Sequence, residues 1–192
     1  MLDPFTRHDL EALCAVVTDA WRGGADRDWS APAGTLEWSC ARTADHVVDS
    51  VFAVGVLLAS RRTDAYPEWS APVSLGPSAR PEHLTEALAT VTRLVSGAVA
   101  GAEPEVRAVI WRRPHVEERG PQDFPPRAGL ELVLHGHDVC AGLGIELVPP
   151  TELCERLRQH TASWPHWTSP GWDPLTLTGD PWADLLRASG RS

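Results

Sequence analysis

Residues 131–138 read Glu131-Leu132-Val133-Leu134-His135-Gly136-His137-Asp138, and far upstream a lone histidine stands in Asp45-His46-Val47-Val48-Asp49. Glu131 and His135 are four residues apart among leucines and valines. That spacing sets two side chains on one face of an α-helix, one turn apart. His46 opens an apolar run through Val47, Val48, Val51, Phe52, Val54, Val56, Leu57 and Leu58. Such a helix is apolar on nearly every side, as a central helix of a bundle is. An ionisable group in these surroundings is costly unless it is paired or bound to a metal. Two imidazoles and one carboxylate leave coordination positions open for water or substrate, as catalytic metal sites do. Bundles build such sites from carboxylates and histidines on facing helices. A plainer reading stays open: Glu and His at this spacing also form surface pairs worth roughly 0.2–0.5 kcal/mol, and His46 could be a hydrogen-bonded core histidine.

The flanking chain supplies the rest of an all-α fold. A first helix is expected over about Thr6–Trp21, with Leu10, Leu13, Val16 and Val17 as its apolar stripe and Gly23-Gly24 behind it. Ser39 is placed to cap a second helix, about Cys40–Ser60. A Pro- and Ser-rich connection leads to a third, about Pro81–Ala102, where Leu84, Leu88, Val91, Val95 and Val99 keep helical spacing. Val106–Trp111 reads as a short extended piece, and Arg112–Pro126, with four prolines, as a loop. The fourth helix is expected from Pro126 or Arg127 to Ala141, stopped by Gly142 and Gly144. Short helices follow near Pro150–His160 and Pro181–Ala188, separated by a Trp/Pro/Gly loop, Ser163–Thr178. No repeat or shift in composition divides residues 1–192, so one domain is expected: a four-helix bundle with irregular insertions and short C-terminal helices.

Composition narrows the function. The net charge is -9 and all 17 basic residues are arginines, which argues against a basic surface for nucleic acid or for anionic lipid. No apolar run reads as long enough to cross a bilayer, and residues 1–8 show no signal peptide. A cytoplasmic protein acting on a small molecule, as monomer or homodimer, is expected. Cys14, Cys40, Cys140 and Cys154 form no C-x-x-C pair, so zinc-finger and thioredoxin-type readings fail. Cys14 falls at a core position, and no disulfide is expected in a reducing compartment. Trp164, Trp167 and Trp172, with Pro165, His166 and Pro170, either wall a pocket or cover the open end of the bundle.

Taken together, Trp38-Ser39, Ala44-Asp45-His46-Val47-Val48, Glu131 through Val139, Gly142-Leu143-Gly144 and the closing Gly179-Asp180-Pro181-Trp182 to Leu185-Leu186 and Gly190-Arg191 resemble the DinB/YfiT-like metalloenzyme superfamily. The closer resemblance is to the N-terminal domain of mycothiol-dependent maleylpyruvate isomerases and their short single-domain relatives. It covers almost the whole chain and implies a DinB-like bundle with His46, Glu131 and His135 as the three metal ligands. Zinc is the first expectation; iron, nickel and manganese accept the same donors. The isomerases carry a second, C-terminal domain that supplies part of their active site. Residues 1–192 hold only the first of these domains, so what is expected from the resemblance is the metal domain and thiol use rather than that particular isomerisation.

Around these ligands, Asp138, three residues after His135, and Asp49, three after His46, either orient a ligand or face solvent. His137, two residues past His135, points away from it. Trp38 and His115 are the candidate pocket residues. The expected function is a metal-dependent enzyme that activates a low-molecular-weight thiol, mycothiol or similar, for S-transfer or thiol-assisted isomerisation of a small electrophile. A metal-dependent hydrolase using activated water, or a non-enzymatic metal-binding stress protein, are the alternatives.

Overall fold

The computed structural model describes residues 3–68, 72–76, 78–167 and 177–191. The chain is mostly helical. Helix α1 spans Arg7–Gly23, α2 Cys40–Ser60, α3 Pro81–Ala100, α4 Phe124–Gly142, α5 Thr151–Thr161 and α6 Pro181–Ala188. A small antiparallel hairpin, β1 Ala108–Trp111 and β2 Glu117–Arg119, lies between α3 and α4.

Local chemistry sets the helix starts. Thr6 and Asp9 form a reciprocal capping box at α1. The Ser39 hydroxyl accepts the Arg42 N–H at 3.2 Å at the head of α2, as its position predicted. At α6 the Asp180 carboxylate accepts from Trp182 and Ala183. The four long helices pack so that α1 touches α3 and α4, and α2 touches the same two. Leu10, Val17, Val47, Val51, Leu88, Val95, Leu132 and Val133 meet in the core between them.

Three expectations change. By length and composition, α2 is long and apolar enough to cross a bilayer, contrary to the reading of the sequence. In the fold its apolar face instead packs on α3, α4 and β1. Second, Arg112–Pro126 is not all loop. It holds β2, a 3₁₀ turn at Pro121–Asp123, and the first turn of α4. Pro125 and Pro126 sit in that first turn, where the missing N–H has no helical partner to lose. Third, Gly142 does not stop α4; it is the helix's last residue, pressed against the turn that precedes α2.

Trp164 and Trp167 are core residues, 1% and 3% exposed, and Trp164 packs on Trp111 with ring centroids 5.2 Å apart. Pro170 and Trp172, and the side chain of His166, lie outside the described residues.

Candidate metal centre

Helices α2 and α4 bring the predicted trio together. One donor atom from each of His46, Glu131 and His135 falls within 4.8 Å of the others. His135 Nε2 lies 3.7 Å from Glu131 Oε2, and the His46 and His135 rings meet edge to face at 5.2 Å. Donor atoms around one zinc ion stand roughly 3–3.5 Å apart. Small side-chain rotations therefore suffice for these three to hold a divalent ion. All three side chains are half-buried.

The neighbours prepare this donor set. Burial alone would raise the Glu131 carboxyl. The charge and hydrogen bond of Arg127, helped by His135 and His46, outweigh it and bring the carboxyl down to about 2. Arg127 Nη1 holds Glu131 Oε1 at 2.5 Å, which leaves Oε2 toward His135. Burial, then the charge of His135, holds His46 below its ordinary value against the pull of Glu131 and Asp49. A neutral imidazole is the form that binds a metal. Ser50 Oγ lies 3.3 Å from His46 Nε2.

Asp138 is buried, and its Oδ2 lies 3.0 Å from His135 Nδ1. Burial would raise this carboxyl, but His135 and Arg191 more than compensate and lower it. Asp138 therefore faces the His135 ring rather than solvent, the second of the two roles open to it. Asp49 takes a different part: it accepts the Val73 N–H at 2.9 Å. Asp45 accepts the Leu75 N–H at 2.8 Å and the Ser74 hydroxyl at 2.7 Å. These two carboxylates fasten residues 72–76 to α2, so Asp49 is an anchor rather than a ligand-orienting group.

A cleft of about 730 Å³ opens beside His46, lined among others by Trp38, Arg42, Asp45, Asp49 and Val73. Trp38 stands edge-on to His46 at 5.3 Å, with the Arg42 guanidinium 4.6 Å from its ring. Trp38 is thus a pocket residue, as expected. His115 is not: it sits exposed on the hairpin, 3.5 Å from Glu117, and lines neither this cleft nor the neighbouring one. That second cleft, about 690 Å³, is walled by Phe52, Val56, Leu57, Tyr66 and Arg112 and shares Asp49 and Pro72 with the first. His137 does not join the converging donors; its half-buried ring instead meets Trp182 edge to face at 5.7 Å.

Two contacts to the candidate site were missed in the sequence. Arg127 precedes Glu131 by four residues, a spacing legible as a helical ion pair. Arg191 fell within the resemblance, in Gly190-Arg191, but its partner was not legible, because Asp138 is 53 residues away. Cys14, by contrast, read correctly as a core residue. All four cysteines are buried and free. Burial raises Cys14 and Cys40 and pushes Cys140 and Cys154 up to about 12. None is a thiolate nucleophile at neutral pH. Compared with known proteins, the chain matches no family model, no curated protein and no solved structure.

Proposed function

We propose that this chain is a divalent-metal-dependent enzyme on a DinB-like four-helix bundle. In this reading it activates a low-molecular-weight thiol of the mycothiol type for S-transfer to, or isomerisation of, a small electrophile. The supporting observation is the convergence of His46, Glu131 and His135 beside a cleft whose size suits a small molecule. A divalent cation, zinc first, would supply Lewis acidity there, lowering the pKa of a thiol so that thiolate forms at neutral pH. Arg127 keeps Glu131 ionised, and burial favours the neutral form of His46, so these two donors are held in the form that binds a metal. Asp138 holds the His135 ring from its far nitrogen. Trp38 and Arg42 give the cleft an apolar face with a cation over it, against which the body of a thiol can rest. The chain's own thiols stay protonated, so the reacting sulfur comes from the cofactor. A cytoplasmic monomer or homodimer fits this chemistry.

Elemental analysis of the purified protein, followed by consumption of mycothiol with a bimane electrophile, tests the reading. Expected are about one equivalent of metal and thiol loss that stops on chelation. Metal-dependent cleavage by water without thiol consumption would make the enzyme a hydrolase. The reading fails if the protein holds no stoichiometric metal and His46→Ala changes neither metal uptake nor stability.

A further inference from the structure

Helix α6 ends on a left-handed glycine, and that turn sends the next residue toward the metal centre. Gly190 has φ +75°. Its N–H bonds to the Arg187 carbonyl at 3.0 Å, and the Arg191 N–H bonds to the Leu186 carbonyl at 2.8 Å. This pair of bonds is the Schellman ending, which needs a residue free to adopt positive φ. The reversed chain lays the Arg191 side chain, only 16% exposed, against α4. There Nε donates to Asp138 Oδ1 at 2.8 Å and Nη2 to Oδ2 at 2.7 Å. The two bonds form a bidentate fork, which fixes the plane of a carboxylate as well as its position.

The fork matters because Asp138 Oδ2 also faces His135 Nδ1 at 3.0 Å. A carboxylate held by a guanidinium accepts, so the imidazole proton sits on Nδ1 and the lone pair on Nε2. Arg191 Nη2 approaches the same Nδ1 at 3.5 Å and would favour the opposite tautomer. The nearer carboxylate wins that competition. The anchoring of α6 is firm on the other side: buried Asp184 bonds the Thr178 N–H at 2.9 Å and Arg187 at 2.7 Å. We propose that Arg191 is a positioning residue: acting through Asp138, it fixes the ring plane and tautomer of His135 so that Nε2 is left free beside Glu131. The inference rests on the metal-centre reading for its consequence, but the tautomer can be observed without any metal.

The test uses the full chain as wild type, Arg191→Ala, Arg191→Lys, Asp138→Asn and the Arg191→Ala/Asp138→Asn double variant. Zinc affinity is measured on stripped protein by competition with a chromophoric chelator. The His135 tautomer is read from long-range ¹H–¹⁵N spectra of metal-free protein. Wild type should show the proton on Nδ1. Arg191→Ala should mix the tautomers and weaken zinc about tenfold or more, the usual effect of losing a group behind a ligand. Arg191→Lys, which keeps the charge and loses the fork, should fall between. In the Asp138→Asn background Arg191→Ala should add nothing, because the two act in series. An unchanged tautomer with unchanged affinity in Arg191→Ala overturns the proposal, as do effects that add in the double variant. If Arg191→Ala fails to fold, wild-type behaviour in Arg191→Lys overturns it instead. If wild type takes up no zinc, the metal-centre reading fails, and the spectra alone decide Arg191: a tautomer shift supports the role and none refutes it.

Discussion

Replacing Gly142 by alanine should cost stability, whereas the same replacement at Gly97 should add to it. Gly142 ends α4 against the turn that precedes α2. A Cβ there would overlap the Pro32 carbonyl oxygen, and would stand 2.5 Å from Cys40 Sγ and 2.9 Å from Ala33 Cα. Two of those neighbours are backbone atoms. Their turn is fixed by the Ala33 N–H on the Trp38 carbonyl at 2.9 Å and the Cys40 N–H on the Ala31 carbonyl at 2.8 Å. The turn cannot yield alone, so the end of α4 must back away from α2 by roughly 1 Å, the shortfall from an ordinary contact. Overpacking of this kind costs about 1–3 kcal/mol, and higher helix propensity returns at most about 1 kcal/mol of it. Gly97 lies exposed within α3, and a Cβ there meets nothing within 4 Å. Alanine at that position should gain roughly 0.5–1 kcal/mol. Urea unfolding of metal-stripped protein, followed by far-ultraviolet circular dichroism, measures both. Because His46 rides on α2 and Glu131 and His135 on α4, Gly142→Ala should also weaken metal binding, and Gly97→Ala should not. Two variants shifted in the same direction, or a Gly142→Ala loss below ~0.5 kcal/mol, within the range of an ordinary surface change, would refute the steric argument.

Arg127→Met removes the partner of a half-buried carboxylate and should destabilise metal-free protein by about 3 kcal/mol; saturating zinc should recover part of the loss, as urea midpoints with and without metal will show. Asp9 behaves as a pH-dependent tie between α1 and α5. Burial would raise its carboxyl, but Arg156 and Thr6 outweigh burial and lower it. Its contribution is therefore complete above the unfolded carboxyl value and lost as pH falls through the lower folded one. Asp9→Asn should cost about 1–3 kcal/mol at pH 6, and the gap to wild type should close in strong acid; a gap independent of pH would contradict the assignment. Leu132→Ala, at a fully buried position of α4, should cost about 2–5 kcal/mol in the same denaturation assay.

The sequence by itself determined what is local. Helical spacing located α1 to α6 to within a few residues, because a stripe of Leu and Val repeats along one face wherever a helix packs on a core. It also put Glu131 and His135 on one face, since residues four apart on a helix always share it. The first two residues of α4 were hidden because Phe124-Pro125 read as the end of a loop, yet a proline fits a helix start. β2 was hidden because Glu117-Glu118-Arg119 has no apolar alternation and is defined only by pairing with β1. The meeting of His46 with the α4 pair is another matter. It depends on how α2 and α4 approach, to which the close contact of Gly142 with Cys40 contributes. Asp49 and Asp138 looked alike in sequence, each three residues after a histidine. Only the tertiary structure separated them, one bonded to Val73 and the other to His135 and Arg191. Spacing along a chain fixes which face a side chain occupies; which partner it meets there is decided by segments folded against it from far away.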